Sequence, residues 1–305
     1  MNRLLPIGLV AASCLAACDR QPSPDVAADT TAVFTSERFT VVTQGSGPDV
    51  ILIPGLASPR EVWDSVAPRI TDRYRVHLIQ VNGFAGSPPG ANASGPVSAP
   101  VAEDIARYIR ESGLTKPALV GHSMGGSIGM MVAARHPDLV GRLMVVDMYP
   151  FLGEMFGPPG TTLETVRPIA DSMRAGMLAA TPDSFVAGFG QMIANMTNRE
   201  DRRPVLLQNV RISDRSTVAN AFHELMTTDL RPELPRITVP VVVLYVIPPG
   251  VPMTREQFEA AMRAAYGGIP NVRLTLIPES RHFIQFDQPD RMVAEVDSLM
   301  RRPVP

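Results

Sequence analysis

The chain of 305 residues has only two cysteines, few aromatic residues and almost no net charge. Both cysteines, Cys14 and Cys18, lie near the N-terminus, so a mature form that begins at Cys18 has no cysteine pair for a disulfide or a metal site. The core must therefore be stabilised by packing alone. The formal net charge of -2 and the absence of a long basic run argue against a nucleic acid as partner, and small or apolar substrates fit better.

The N-terminal segment has the pattern of an export signal. A positive start precedes an apolar, small-residue run at residues 4–17, which is too short to cross a membrane and remain there. Leu15-Ala16-Ala17-Cys18 resembles the bacterial lipoprotein processing box, in which the cysteine becomes the acylated first residue. Residues 1–18 are therefore expected to be a lipoprotein signal peptide processed at Cys18. The alternative is a cut after the small residues that releases a soluble periplasmic protein.

This pattern also predicts the cellular location. We expect an exported protein of the bacterial cell envelope, anchored in a membrane through the lipid on Cys18 and facing the periplasm. Asp19 resembles the residue that keeps some bacterial lipoproteins at the inner membrane, but sorting rules differ between bacteria and the leaflet stays open. Residues 19–36 are small, polar and proline-containing, which is typical of a flexible tether, and the folded unit is expected to begin near Phe39.

From Arg38 onward, continuous apolar runs alternate with helical patterns. Such runs are typical of strands that are covered on both faces, so the pattern predicts an α/β domain with a mostly parallel central sheet flanked by helices. The predicted strands are residues 39–43, 50–53, 76–81, 118–120, 143–146, 239–246 and 272–277, and the predicted helices are residues 61–70, 101–111, 126–135, 255–265 and 289–301.

The alternation stops for a long stretch in the middle of the chain. Residues 148–235 read as helices and loops, which is far longer than an ordinary connection, so we expect a helical cap inserted between two core segments, residues 37–147 and 236–305. The methionines of this region either line an apolar pocket that accepts varied shapes or fill the core of the cap itself. They are Met148, Met155, Met173, Met177, Met192, Met196 and Met226.

The motif Gly121-His122-Ser123-Met124-Gly125-Gly126 lies between a predicted strand and a predicted helix. An abrupt strand-to-helix turn lifts one hydroxyl above the sheet edge, and only glycine-sized neighbours leave room for it. Ser123 is therefore a candidate nucleophile, and the backbone amide of Met124 is expected to face negative charge that develops on a substrate carbonyl oxygen. The alternative is a glycine-rich turn with a solvated serine.

This motif, with a histidine after the last strand-like run, resembles the α/β-hydrolase fold family, and the resemblance covers nearly everything from Phe39 onward. It implies the α/β-hydrolase fold with a helical cap inserted after the sixth strand, and no cofactor or metal. It also implies that His282 is the catalytic base, because the other four histidines lie in a strand, beside Ser123, at a helix end and in the cap. The alternative for His282 is a surface histidine beside a core phenylalanine.

The segment Leu52-Ile53-Pro54-Gly55-Leu56 resembles the family's histidine-glycine oxyanion loop, with Pro54 in place of the histidine. The resemblance implies that the backbone amide of Leu56 is an oxyanion donor together with the amide of Met124. The alternative is an ordinary turn after a strand.

The position of the catalytic acid along the chain departs from the commoner pattern of the family. The run at residues 239–246 leads into a proline-rich segment that has no carboxylate before Glu256. Haloalkane dehalogenases and certain lipases of the family place their acid after the strand that corresponds to residues 143–146, and Asp147 follows that run here. Asp147 is therefore the expected acid and Glu256 the second candidate. The alternatives are a turn cap for Asp147 and a helix-dipole contact for Glu256.

The resemblance implies a serine hydrolase that cleaves carboxylic esters through an acyl-enzyme on Ser123, with a small apolar ester as substrate. A serine at this position argues against the dehalogenases and epoxide hydrolases of the family, which use an aspartate. Lactonases, carbon-carbon bond hydrolases, aminopeptidases and cofactor-free haloperoxidases stay open, because the cap determines the substrate. A membrane-tethered binding module that has lost turnover is the alternative from another class. Acyl-chain preference and oligomeric state stay open as well.

Overall fold

The computed structural model describes residue 1, residues 34–158 and residues 160–304. Residues 2–18 of the expected signal peptide, which include Cys18, and the first part of the expected tether lie outside the described residues. The folded unit begins at Phe34, earlier than expected, because the Phe34 ring packs against the rings of Phe39 and Tyr108 at centroid distances of 5.6 and 4.9 Å. Residues 34–36, which the sequence assigns to the tether, therefore belong to the folded unit.

The strands of the described residues form one seven-stranded sheet, and the apolar runs of the sequence supply them. They are β1 (Phe39–Gln44), β2 (Asp49–Ile53), β3 (Arg75–Val81), β4 (Ala118–His122), β5 (Arg142–Val146), β6 (Val241–Tyr245) and β7 (Val272–Leu276). Their order is β1-β3-β2-β4-β5-β6-β7, and all neighbours are parallel except β1 and β3, which are antiparallel. The predicted mostly parallel sheet is confirmed. The carboxyl ends of β2, β4 and β5 consequently meet at one edge.

Helices cover both faces of this sheet and fill the insertion. One predicted helix is wrong: residues 61–70 form two separate 3-10 turns, Arg60–Trp63 and Ala67–Arg69. A continuous helix would place Pro68 in its interior, where the missing N–H and the ring break the helix. The α-helices are α1 (Ser98–Glu111), α2 (Met124–Arg135), α3 (Leu163–Ala179), α4 (Pro182–Ala194), α5 (Arg203–Ile212), α6 (Arg215–Thr227), α7 (Arg255–Tyr266), α8 (Ile284–Asp287) and α9 (Pro289–Met300).

The insertion between β5 and β6 contains α3 to α6 and forms the cap. It follows the run at residues 143–146, which is the fifth strand of this sheet, so the expected position after a sixth strand is wrong, because the described part of the chain has no strand before β1. The side chains of Thr162, Thr181 and Asp214 accept backbone hydrogen bonds at the starts of α3, α4 and α6, which is the usual way for such residues to satisfy a helix N-terminus.

Glu224 of the cap helix α6 connects the cap to the core. Its buried carboxylate accepts hydrogen bonds from the backbone N–H groups of Val97, Ser98 and Ala99, at 2.7, 2.6 and 2.8 Å. These groups are at the beginning of α1, where a helix leaves its N–H groups unpaired and attracts negative charge.

No helix within the described residues combines the length and the apolar character that crossing a membrane requires.

Candidate active site

Ser123 lies at the turn between β4 and α2 in a strained backbone conformation, with φ 53° and ψ -121°. A non-glycine residue in this region costs about 1–3 kcal/mol and persists only where its surroundings fix it. The surroundings do so here, because the N–H of Ser123 donates to the carbonyl of Val146 at 2.9 Å. The Ser123 carbonyl accepts the N–H of Gly126 at 2.7 Å, so the turn leads directly into the helix.

Two glycines make this turn possible. A Cβ atom at Gly121 would lie 2.0 Å from the carbonyl oxygen of Gly125, and a Cβ at Gly125 would lie 2.3 Å from the carbonyl oxygen of Ile53. Real Cβ atoms do not approach backbone atoms so closely, and backbone cannot move aside as a flexible side chain can. The turn at residues 121–126, called the glycine turn below, therefore requires glycine at both positions.

His282 and Asp147 come together at the same edge of the sheet. The Nδ1 atom of His282 lies 2.7 Å from Oδ2 of Asp147, and both side chains are largely buried. The other oxygen of Asp147 accepts the N–H of Val246 at 3.1 Å, while its own N–H donates to Leu244 at 2.8 Å. Strands β5 and β6 thus fix the carboxylate, and the carboxylate fixes one nitrogen of the imidazole.

Glu256, the second candidate for the acid, lies in the first turn of α7 and is fully exposed. Hydrogen bonds from the backbone and from the Thr254 hydroxyl lower the pKa of its carboxyl group. This is the environment of a carboxylate at a helix N-terminus. Of the two candidates, the structure brings Asp147 and not Glu256 to His282.

His122 packs directly against His282. Its ring centroid is 4.6 Å from that of His282 and 4.8 Å from that of Phe283, and its Nε2 lies 3.0 Å from the His282 carbonyl oxygen. Burial, with a smaller contribution from the nearby His282, holds the pKa of His122 well below its ordinary value of 6.5. His122 is therefore neutral, and its proton is on Nε2, because only a protonated nitrogen can donate to the carbonyl.

The loop after β2 supplies the second candidate amide. A Cβ atom at Gly55 would be 3.1 Å from the Cβ of Ser123, so this loop touches the glycine turn. The next residue is Leu56, and Ala57 has a positive φ of 53°. Within the described residues, neither the N–H of Leu56 nor that of Met124 donates to an acceptor. Two amides that have no acceptor in the described part of the chain thus belong to the two loops that meet at the candidate nucleophile.

A cavity of about 430 Å³ lies between the core and the cap. Ser123, His282, Asp147 and Leu56 line it from the core side. Its other walls are mostly apolar, and they come from the cap and from the segment that follows β6. They include Leu152, Phe189, Ile193, Leu206, Phe222, Val246 and Pro248.

A sequence model of the alpha/beta hydrolase family matches residues 50–295, which is more than half of the chain. The chain belongs to the alpha/beta hydrolase family. A pimeloyl-[acyl-carrier protein] methyl ester esterase of Aeromonas hydrophila subsp. hydrophila is 28% identical over 215 residues, which cover 68% of this chain and 78% of that protein.

Solved structures of this family are similar to the whole folded unit. An esterase from Exiguobacterium antarcticum has a TM-score of 0.70 at 22% identity, covering 87% of this chain and 96% of that one. An enol-lactonase from Burkholderia xenovorans LB400 has a TM-score of 0.67 at 18% identity, with the same coverage of both chains. At these identities the likeness shows the fold alone.

The cap methionines of this hydrolase divide between the two roles that the sequence left open. Met148, Met155, Met192 and Met196 line the cavity. The other three pack in a small apolar cluster between α3, α6 and the core, so they fill the cap itself. They are Met173, Met177 and Met226.

Sequence reasoning missed several residues around the site. The sequence places His122 beside Ser123 without giving it a role, and no pattern in it singles out Asp287, whose carboxylate accepts the backbone N–H of Arg281 next to His282. The one sequence signal for Asp287 is a carboxylate shortly after the candidate base, before the proline that starts α9.

Over residues 34–158 and 160–304, no group of three or more histidine, cysteine or acidic side chains is arranged to hold a metal ion.

Proposed function

We propose that this protein is a serine hydrolase of carboxylic esters in which Ser123 is the nucleophile, His282 the general base and Asp147 the acid that orients it. The observation that carries the proposal is a single cavity that contains Ser123 together with the His282 and Asp147 pair, whose hydrogen bond is 2.7 Å long. Membership of the alpha/beta hydrolase family and esterases among its relatives support a hydrolase that acts on esters.

The reaction follows from the arrangement of the donors and acceptors. Asp147 accepts the proton on Nδ1 of His282, so Nε2 is the nitrogen that is free to take the proton from the Ser123 hydroxyl. The serine oxygen then attacks the ester carbonyl, and the backbone amides of Leu56 and Met124 stabilise the resulting oxyanion. The protonated His282 returns the proton to the leaving alcohol, and an acyl-enzyme on Ser123 remains.

The second half of the reaction uses the same groups. His282 removes a proton from a water molecule, which attacks the acyl carbonyl and releases the acid. Asp147 stabilises the imidazolium in both halves because its carboxylate accepts the proton on Nδ1, at 2.7 Å in the structure. None of these steps calls for a cofactor.

Small apolar esters are the substrate class that we propose. Apolar side chains form most of the wall of a cavity of about 430 Å³, and four of them are methionines that can adapt to varied acyl groups. The relative from Aeromonas is, by its name, an esterase for a methyl ester of an acyl chain on a carrier protein. A small alcohol and an extended acyl group are consistent with this cavity.

The test is hydrolysis of nitrophenyl esters from acetate to decanoate by the full-length protein in detergent, with Ser123→Ala as the control. We expect turnover by the wild-type protein and almost none by the variant. Equal rates for both proteins would favour a binding module without turnover. The chain-length profile measures how deep an acyl group reaches under the cap.

We also propose that the protein is exported and lipid-anchored in the bacterial envelope through Cys18. The support is the sequence Leu15-Ala16-Ala17-Cys18 after an apolar run. Labelling of growing cells with radioactive palmitate tests this: the wild-type protein should take up label and sediment with membranes, whereas Cys18→Ala should do neither. Unlabelled wild-type protein in the soluble periplasmic fraction would contradict the anchor.

A further inference from the structure

The carboxylate of Asp287, at the end of α8, binds two separate segments of the chain. Its Oδ2 accepts the backbone N–H of Arg281 at 2.8 Å, next to His282. Its Oδ1 accepts the hydroxyl of Thr197 at 2.7 Å and the backbone N–H of Asn198 at 3.0 Å, in the loop between α4 and α5 of the cap. One side chain therefore connects the cap to the loop that carries the candidate base.

The backbone around His282 is fixed residue by residue. Asp287 holds the N–H of Arg281, Nε2 of His122 donates to the carbonyl of His282 at 3.0 Å, and the N–H of Phe283 donates to the carbonyl of Met196 at 2.9 Å. These three bonds come from three different parts of the fold: α8, the glycine turn and the cap. The position of the imidazole thus depends on all three.

Residues 194–198 of the cap, called the cap-wall segment below, contact the histidine loop, residues 278–283, through further bonds. The guanidinium of Arg281 donates to the carbonyl of Ala194 at 3.0 Å, and the side-chain amide of Asn198 donates to the carbonyl of Glu279 at 3.1 Å. Asn195 and Met196 of the same segment line the cavity. The cavity wall and the candidate base are therefore hydrogen-bonded to one another, and Asp287 is bound to both.

We propose that Asp287 is a positioning residue for His282, which holds the histidine loop against the cap-wall segment so that the imidazole reaches Ser123 and Asp147 together. This inference rests on the proposed function. An imidazole displaced by about 1 Å from productive geometry can lose 100-fold in rate. A carboxylate suits this place because all its contacts are N–H or O–H donors, whereas an amide would turn its own N–H groups toward them.

The test is Asp287→Asn in the full-length protein, measured with a nitrophenyl ester across pH. We expect kcat to fall by about 10-fold to 100-fold while KM changes by less than about threefold, because the base is misplaced and the cavity remains. The acidic limb of the profile of kcat/KM should move to lower pH. The reason is that a displaced imidazole loses part of its contact with the Asp147 carboxylate, which stabilises the imidazolium.

Glu295→Gln is the matched control. Like Asp287, Glu295 is a carboxylate that binds groups from other parts of the chain, but it is more deeply buried, binds Arg273 and Arg291, and has no hydrogen bond to the histidine loop. We expect this variant to lower the melting temperature while kcat and the acidic limb stay as in the wild-type protein. Asp287→Glu keeps the charge and should recover more of kcat than Asp287→Asn. Thr197→Val removes one donor and should lower kcat by about two- to fivefold, because one of the hydrogen bonds to the Asp287 carboxylate is lost.

The inference is overturned if Asp287→Asn lowers the melting temperature as Glu295→Gln does but keeps the wild-type kcat and acidic limb. If Asp287→Asn does not fold, a wild-type kcat in both Thr197→Val and Asp287→Glu overturns it. The downfield proton resonance of the bond between His282 and Asp147 gives a second readout without turnover, and it should shift or broaden in Asp287→Asn but not in Glu295→Gln. Equal hydrolysis by wild-type protein and Ser123→Ala would refute the proposed function instead.

Discussion

The glycine turn and the methionines with which the cap lines the cavity, Met155, Met192 and Met196, called the cap wall below, lie on one cavity but are built in opposite ways. In the glycine turn, backbone packs on backbone, Ser123 is strained and two positions have no room for a Cβ atom. In the cap wall, flexible side chains such as Met192 and Met196 are only partly buried, and Met155 is 55% exposed. We infer that the packed backbone of the glycine turn allows one position for the Ser123 side chain. The cap methionines, in contrast, can adopt several rotamers and so fit differently shaped substrates.

The largest effect on kcat is expected for the substitution of Ser123, the proposed nucleophile in the glycine turn. Ser123→Ala should lower kcat by about four to six orders of magnitude, because the remaining site retains only its amide donors and its binding surface. Ser127→Ala is the matched control, since Ser127 lies one helical turn further along α2 and is buried, whereas Ser123 is half-buried and lines the cavity. It should stay within about twofold of wild-type kcat, as expected for a substitution outside the reacting groups. A comparable loss in both variants would mean that folding, not the hydroxyl, is affected.

The second largest effect on kcat is expected for Asp147, the proposed acid, which follows β5. Asp147→Asn should lower kcat by about three to four orders of magnitude, since it removes the charge that stabilises the imidazolium. Glu256→Gln, at the exposed start of α7, should leave kcat unchanged. Full activity of Asp147→Asn together with loss in Glu256→Gln would show that the assignment of the acid is wrong.

Glycine-to-alanine substitutions test the comparison on both sides of the cavity. Gly125→Ala places a Cβ 2.3 Å from the Ile53 carbonyl oxygen and should destabilise the protein by more than about 3 kcal/mol. Gly188→Ala in cap helix α4 meets no atom within 4 Å and should stabilise the protein by up to about 1 kcal/mol, because alanine is the better helix former. Denaturant unfolding measures both. Equal effects would remove the contrast between the two regions.

Lowering the pH should destabilise the fold through the buried His122 of the glycine turn. Burial lowers the pKa of His122 below its ordinary value of 6.5, so below about pH 6.5 the unfolded chain binds a proton that the folded chain does not. The free energy of unfolding should therefore decrease as the pH falls from 7 toward 5. His77 contributes in the same direction, because burial also lowers its pKa. His122→Gln should show a weaker decrease in denaturant unfolding, and an unchanged decrease would contradict this account.

The smallest effect is expected in the cap wall. Met192→Leu conserves volume in a flexible wall and should cost less than about 1.5 kcal/mol of stability. It should instead change the relative rates for short and long nitrophenyl esters, because Met192 lines the cavity. A stability loss as large as that of Gly125→Ala would show that the cap wall is as tightly determined as the glycine turn.

The sequence predicts the parts of this molecule that depend on local rules. Continuous apolar runs predict the buried strands, because only a sheet covered on both faces needs them. The spacing of Gly121 and Gly125 around Ser123 predicts the turn, since the backbone geometry excludes other residues. The family resemblance predicts Asp147 as the acid, because it follows the run at residues 143–146; the structure places it 2.7 Å from His282, while its catalytic role stays a prediction.

Contacts between distant segments are what the sequence does not predict. Because Phe34 packs on Tyr108, the folded unit begins at Phe34 and not near Phe39, although the residues around Phe34 have the composition of a tether. No local pattern tells which methionine faces the cavity, because both roles need the same flexible apolar side chain. Asp287 binds Thr197 across a long separation in the chain, and only the assembled fold brings the two together.

The most direct test of the central claim is mass spectrometry of the full-length protein quenched during turnover of a nitrophenyl ester. The account predicts a mass increase equal to the acyl group, located on the peptide that contains Ser123. It also predicts that Ser123→Ala carries no such adduct. Product formation by wild-type protein with the acyl group on another residue would contradict the account.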